Sequence, residues 1–423
     1  MTRTSSTMTE VTCPFCGLHC DDLNIQTDGT TARVVQNGCA WATAGFAQPP
    51  MPATPCVENR PCTLDQAIQR AAQILQAANQ PLIAGLATDA AGCRAAMALA
   101  EKTGAAVDHL HGHALASNTQ VVQRRGWIMT TLTELRNRAD LVVLFGTDGD
   151  SVNPRFIERC LRPVPGMGRV RTQQRQVVFI GEEARGRSLK KALPYASTIS
   201  CRRQDLLEVL SALRAELHGR PDLAKAQRLP ARQLAALKKL AAQMQSAQYT
   251  VCVWAPGQLL PDQADIVIET ICELVAGLNE FTRAAGLALG GSDGAVTAMN
   301  VCAWQTGYQL RVNFAGGAPD YNLSRNSTDA MLQRREADAL VWISTFHPLP
   351  PPKIEGIPVI VLAPPSRRLA GTAEVYIPVA IPGVDSSGTM FRLDSVVGLP
   401  LHQVRASSLP SAADILNRIA GRI

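Results

Sequence analysis

The sequence predicts an α/β protein: a small N-terminal cysteine-bearing domain followed by two doubly wound parallel-sheet domains. Three observations lead there. Short, continuously apolar runs alternate with longer amphipathic stretches, the pattern of buried parallel strands joined by crossover helices. The chain has 423 residues, enough to bury more than one core. Four of its 12 cysteines fall within the first forty residues, ahead of the first such alternation. The linear division that follows is 1–60 for the cysteine segment and linker, 61–220 for the first α/β domain, and 221–423 for the second with a C-terminal segment.

Each element has a local cause. Met51 to Pro61 is rich in proline and reads as a linker. Thr63-Leu64-Asp65-Gln66 has the capping-box pattern, in which hydroxyl and amide side chains satisfy the first free backbone groups of a helix. Leu64, Ile68, Ala71, Leu75 and Ala78 then recur at three- and four-residue spacing, one buried helical stripe. Pro81 to Leu86 reads as a strand, and the next helix runs to Thr103, where Gly104 can close the turn. Strands follow at Ala105–Asp108, Leu141–Gly146 and Val177–Gly181. A polar helical stretch from Arg220 to Gln245 leads to a strand at Tyr249–Trp254, a helix from Asp262 to Ala276, and strands at Ala339–Ile343 and Val359–Leu362. No repeat of fixed period is present.

Composition narrows the class. With 46% hydrophobic and 18% charged residues the chain is an ordinary globular protein. No stretch approaches the ~20 apolar residues that cross a bilayer, and Met1 to Glu10 has no apolar signal core. Cysteines scattered without pairing signals fit a reducing compartment, so the cytoplasm is expected, with no membrane partner. The net charge of +6 is concentrated: between Arg155 and Lys191 lie ten Lys or Arg (Arg155, Arg159, Arg162, Arg169, Arg171, Arg175, Arg185, Arg187, Lys190, Lys191) against Glu158, Glu182 and Glu183. Such a run is either a solvated face or an anion site for phosphates, a polyglutamate tail or an acidic protein partner. Only Phe156 and Phe179 interrupt it, too few aromatics for a single-stranded nucleic-acid platform, and no nucleic-acid partner is expected.

The chemistry-bearing residues are bunched. Cys13, Cys16 and Cys20, with gaps of two and three residues, let one loop aim three thiolates at a single centre, and Cys39 supplies a fourth. That set matches a [4Fe-4S] cluster or a tetrahedral zinc ion; the bland alternative is buried cysteines acting as small apolar residues. His109, His111 and His113 follow a strand, where alternate positions would project to one side. With Asp108 the only adjacent carboxylate, they read as a polar loop with one or two hydrogen-bonding histidines rather than a ligand set. The turns Gly146-Thr147-Asp148-Gly149-Asp150 and Gly290-Gly291-Ser292-Asp293-Gly294 also sit where α/β folds bind ligands, but neither carries a dinucleotide or Walker pattern.

The sequence resembles the B chain of formylmethanofuran dehydrogenase, a relative of the molybdopterin oxidoreductases. The likeness rests on Cys13-x-x-Cys16-x-x-x-Cys20-Asp21-Asp22 with Cys39, on Leu99–Ala105, and on Arg138–Val143 ahead of Asn153-Pro154-Arg155. It continues in Trp304-Gln305-Thr306-Gly307-Tyr308 with Phe314 and Tyr321-Asn322, and closes on Gly383 with Gly388-Thr389-Met390-Phe391-Arg392-Leu393-Asp394. In the redox members, tungsten or molybdenum on two pterin dithiolenes reduces carbon dioxide, and a cysteine or selenocysteine in Cys-His-Gly-Pro binds the metal. Here that stretch is Leu110-His111-Gly112-His113, and leucine has no lone pair to give. The pterin turn Gly-x-Asn-Pro is likewise replaced by Gly146-Thr147-Asp148-Gly149, which sets carboxylates where pyrophosphate would lie. The resemblance therefore implies the non-redox branch, the formyltransferase/hydrolase complex of aerobic one-carbon oxidisers. There the hydrolase, formyltransferase and C-type subunits are partners, a methanofuran-like carrier is met indirectly, and the B chain is architectural. It implies no catalytic residue, no molybdopterin or tungstopterin, and a formerly redox scaffold. The alternative it leaves open is a true Mo/W-bis-pterin dehydrogenase with a [4Fe-4S] cluster on the four cysteines.

Overall fold

In the computed structural model, which describes residues 5–49, 54–162 and 175–423, the capping box at Thr63 is formed. Thr63 Oγ1 accepts from Gln66 N, and Gln66 Oε1 accepts from Thr63 N at 2.9 Å. The helix it starts, Leu64–Ala77, buries Ala67, Ile68, Ala71, Ile74 and Leu75 along one stripe. The next helix, Ala90–Thr103, is capped by Asp89 and stops at Gly104, whose φ of 69° is the left-handed conformation a residue without Cβ adopts at least cost. The strand between them, Pro81–Ala87, is buried at every position, as are Leu141–Phe145, Tyr249–Trp254 and Ala339–Ser344. Burial on both faces is why these runs lack the alternation of a half-exposed strand. Each Leu, Ile or Val so buried contributes roughly 1.5–3 kcal/mol relative to exposure.

The chain forms two compact units. One comprises Met1–Gly112 and Gly291–Ile423, the other His113–Gly290. The first is built on a nine-stranded sheet whose five central strands run parallel in the order Ala106–Val107, Pro81–Ala87, Ala339–Ser344, Val359–Ala363, Val375–Pro378. Short antiparallel strands close each edge. The second holds a five-stranded, all-parallel sheet in the order Ser197–Ser200, Gln176–Gly181, Leu141–Phe145, Tyr249–Trp254, Arg283–Ala288. Two smaller antiparallel sheets belong to the first unit: Ser6–Val11 with Leu23–Thr27 and Ala32–Gln36, and the hairpin Gly388–Phe391 with Gly398–Leu401.

The boundaries expected at 60/61 and 220/221 do not coincide with these units. Pro81–Ala87 pairs with Ala339–Ser344 across more than 250 residues, and Leu141–Phe145 pairs with Tyr249–Trp254. Parallel neighbours are joined through crossovers, so nothing obliges them to be consecutive in sequence. The second unit is an insertion into the first, and the cysteine segment belongs to the first unit. Among the described residues no helix is long and apolar enough to cross a membrane.

Candidate functional site

The cysteine loop is held from within and from outside. Cys13 N donates to Cys20 O at 2.8 Å and His19 N to Cys16 O at 3.1 Å, which folds residues 13–20 back on themselves. His19 takes a φ of 42° and its Nδ1–H donates to Cys13 O at 3.1 Å, the only role that atom can play opposite a carbonyl. Burial pushes this imidazole down to about 4, so it is neutral. Cys39 caps the helix Ala40–Phe46, its Sγ accepting from Ala42 N at 3.4 Å. Phe15 stands edge-on to Phe46 at 5.3 Å, and Gly17 O accepts from Leu393 N at 2.9 Å. Cys13, Cys16 and Cys20 are buried and Cys39 is half-buried. Burial pushes the Cys13 thiol up, and the neighbouring Cys16, Cys20 and Cys39 push it further.

The four thiols are thus neighbours, as their spacing predicts. Among the described residues no group of three or more His, Cys, Asp or Glu side chains is placed to hold a metal ion.

The histidine turn lies at the carboxyl end of the strand Ala106–Val107. Asp108 is buried and saturated: Oδ1 accepts from His109 N at 2.8 Å and Arg311 Nε at 3.1 Å, while Oδ2 accepts from Thr328 N at 2.8 Å and Thr328 Oγ1 at 3.0 Å. His109 Nδ1 accepts from His111 N at 2.9 Å, so its proton sits on Nε2, which donates to Asp293 O at 3.1 Å. Burial, with His111 beside it, pushes His109 down to about 3. His111 Nε2 meets Asp293 Oδ2 at 2.9 Å. Burial raises the Asp293 carboxyl, but the hydrogen bond from His111 and the nearby His111, His347 and His109 outweigh it and hold the group below the usual carboxylate range. His109 and His111 therefore serve one carboxylate-bearing residue, the hydrogen-bonding role expected of them; His113 lies on the helix Gly112–Arg125 of the other unit.

Leu110 turns away from this polar network. Its N–H donates to Gly85 O at 2.8 Å, and its half-buried side chain packs on the apolar cluster of Leu82, Ala84, Leu340 and Trp342. Asp293, the residue that organises the turn, was visible only as part of a polar glycine-rich stretch. It sits at φ 54° between glycines, and at Gly294 a Cβ would lie 2.5 Å from Thr88 O, so the stretch can pass there only as glycine.

In the other unit, Gly146–Asp150 is closed by its own side chains. Asp148 Oδ1 accepts from Ser151 N at 3.0 Å, Thr147 Oγ1 accepts from Gly149 N at 3.1 Å, and Asp150 Oδ1 accepts from Ile157 N at 2.7 Å. Burial, with Asp148 and Glu158 nearby, pushes the Asp150 carboxyl up to about 6. The turn thus carries two carboxylates, Asp148 and Asp150, each accepting a backbone N–H.

The basic stretch divides by depth. Arg169 and Arg171 lie outside the described residues. Arg187 pairs with Glu183 on the surface, and Lys190 and Lys191 are near it, a largely solvated face. Arg155 is buried against Glu158. Arg175, expected with Arg169 and Arg171 to hold an anionic partner, is instead buried. Its guanidinium donates to five backbone carbonyls: Ala139 and Cys160 at 2.8 Å, Leu161 at 3.0 Å, Leu135 at 3.1 Å and Arg136 at 2.6 Å. Its donors are consumed in ending the helix Leu132–Arg138 and the helical turn Ile157–Leu161, so it cannot serve a partner.

This architecture is found in known proteins. No protein-family model matches the sequence. Acetylene hydratase from Pelobacter acetylenicus superposes with a TM-score of 0.63 over 98% of this chain and 69% of its own, at 11% identity. That likeness is one of fold: a mixed α/β protein with parallel sheets. The particular kinship is narrower. The B chain of tungsten-containing formylmethanofuran dehydrogenase 2 from Methanocaldococcus jannaschii is 27% identical over 404 residues, 91% of each chain. The B chain of the formyltransferase/hydrolase complex Fhc from Methylorubrum extorquens is 27% identical over 333 residues, 78% of this chain and 85% of that one. A chain from the crystal structure of that complex with methylofuran matches at a TM-score of 0.73 and 27% identity, over 87% of this chain and 98% of its own. The chain is thus similar over most of its length to the B chains of formylmethanofuran dehydrogenase and of the Fhc complex.

Proposed function

We propose that this chain is the B-type component of a cytoplasmic formyltransferase/hydrolase complex in tetrahydromethanopterin-linked one-carbon oxidation, and that it is architectural there. The observation that carries the reading is Leu110. At the position where redox relatives bind their metal, this chain places an aliphatic side chain packed on an apolar cluster, with its backbone tied to Gly85. The closed, carboxylate-bearing turn at Gly146–Asp150 supports it, because anionic pterin phosphates would meet Asp148 and Asp150. Hydrolase, formyltransferase and C-type subunits would then perform the chemistry on a formyl-methanofuran-type carrier, and the four-cysteine loop would serve folding.

The second reading, a tungsten- or molybdenum-dependent dehydrogenase with a [4Fe-4S] cluster on Cys13, Cys16, Cys20 and Cys39, draws on those cysteines and on tungsten-containing relatives of equal identity. Native mass and elemental analysis of the complex purified without oxygen separate the two. A multi-subunit particle free of tungsten, molybdenum and pterin that releases formate supports the first. Pterin with stoichiometric tungsten or molybdenum overturns it.

A further inference from the structure

The Trp-Gln-Thr-Gly-Tyr motif has no part in the histidine turn or the cysteine loop. It ends the helix Ala295–Thr306, and from Ala295 to Pro319 the only ionisable charge is Arg311, which is buried against Asp108. At the end of this stretch two aromatic side chains stand out of the first unit: Trp304 is 65% exposed and Tyr308 41%. Both are fixed in place. Trp304 meets Phe391 edge-on at 5.0 Å between centroids, and Tyr308 stacks on Tyr321 at 4.9 Å with the rings 6° from parallel. Gly307, at φ 82°, ends the helix, and Thr306 Oγ1 accepts from Tyr308 N at 3.1 Å, which ties the turn between the two rings. Val396, 59% exposed, stands in the turn of the hairpin that carries Phe391, and residues 315–319 (Ala-Gly-Gly-Ala-Pro) add an exposed, uncharged rim.

Exposed aromatics held in one conformation contribute little to their own fold. They bind at low entropic cost, and Trp and Tyr dominate the energetics of protein interfaces whose centres are depleted of charge. A nucleic acid or a glutamate-rich coenzyme tail would require free cations; beside these rings Arg392 is already paired with Asp394, and Asp320 adds an exposed carboxylate.

We infer that the face formed by Trp304, Tyr308, Phe391 and Val396 is the seat of a different subunit of the complex, one that presents an uncharged, apolar surface. The inference rests on the proposed place of this chain in the complex and deepens it by naming the surface. The uncharged chemistry, and a homologous chain solved within a multi-subunit assembly, fix the kind of occupant.

The test uses the complex co-expressed with its hydrolase, formyltransferase and C-type subunits, and Trp304→Lys, Tyr308→Lys and Trp304→Phe variants of this chain. Thermal melting of the variant chains alone is the folding control, and both lysine variants should melt as the native chain does. Affinity for the other subunits should fall roughly 30-fold or more in Trp304→Lys, the size of an interface hot spot, with Trp304→Phe retaining most of it. The loss should be the same at low and high salt, and iodide should quench Trp304 fluorescence in the free chain but not in the complex. If the lysine variants assemble with native affinity, the inference falls and the proposed function stands. The inference falls equally if the lysine variants assemble but lose carrier turnover, or if the free chain dimerises through this face. A native chain that takes up none of the three subunits fails the proposed function itself.

Discussion

His111 Nε2 and Asp293 Oδ2 lie 2.9 Å apart, joining the turn after one strand of the nine-stranded sheet to a loop nearly two hundred residues later. The carbonyl of the same Asp293 accepts from His109, so one residue fixes both imidazoles. The pair occupies the carboxyl edge of a parallel sheet, where α/β folds place their ligands. Between them Leu110 points to the apolar side.

His109 makes the turn sensitive to acid. Its folded value of about 3 lies below the ordinary 6.5, so between these values the unfolded chain binds a proton that the folded chain refuses. The stability it contributes is therefore fully present above about pH 6.5 and is lost as pH falls toward 3, by up to about 1.4 kcal/mol per pH unit. Asp293, held below its usual range, loses its contribution only at more acid pH, below about 4. Denaturant unfolding of the native chain and of His109→Gln at pH 7, 6 and 5 should show the native curve falling more steeply, by about 2 kcal/mol between roughly pH 6.5 and 5. Parallel curves would show that His109 titrates freely.

Leu110→Ala should leave formate release by the assembled complex within a few-fold of native, since no bond is made or broken there. Its cost should appear in stability instead, about 1–2 kcal/mol for a half-buried leucine at the edge of a cluster. Leu110→Cys should not create formate oxidation, because the turn at Asp148 and Asp150 stays closed. Abolished hydrolysis in a Leu110→Ala complex of native mass would contradict an architectural role.

Arg175→Gln should unfold the second unit more easily, by about 3 kcal/mol or more, because several buried carbonyls lose a charged donor together. The loss should not change with salt, since the bonds are buried. Partner docking through the basic stretch is tested by Arg169→Gln with Arg171→Gln alone. A salt-dependent assembly defect in Arg175→Gln, with native melting, would return this residue to the surface role its sequence position implies.

Local physics was legible, and depth was not. The Thr63 capping box, the stop at Gly104 and the buried strands at 81–87, 141–145, 249–254 and 339–344 follow from residues within a few positions of each other. Strand order does not, because Leu82 opposite Leu340 is a contact no local pattern encodes. Hence the linear division into consecutive domains failed where the chain inserts one unit into another. Arg175 was grouped with its neighbours by charge, and charge carries no information about burial. The strand Ser6–Val11 escaped notice because it is mostly exposed and ends in an irregular register, without a buried alternation to announce it. Leu110, by contrast, was informative in the sequence alone, since an aliphatic side chain cannot ligate a metal in any fold.

The cysteine loop carries the last prediction. Cys13 and Cys20 close it through their backbones, Cys39 starts a helix with its sulfur, and Phe15 and Gly17 fasten it to the first unit. All of this is packing and capping, and a thiol serves it as a small apolar group and a weak acceptor. A four-iron cluster carries electrons, and in the proposed complex no redox metal would supply them. Cys16→Ser sets a more polar hydroxyl into a buried position. It should lower the melting temperature or the yield of assembled complex while leaving the specific activity of the surviving complex unchanged. Serine costs stability with or without a bound metal, so the melting shift alone decides nothing; the decisive measurements are iron content and paramagnetic resonance of the native complex after reduction. A reducible cluster signal, together with activity toward an artificial electron acceptor that Cys16→Ser abolishes, would make the loop an electron-transfer site and overturn the structural assignment.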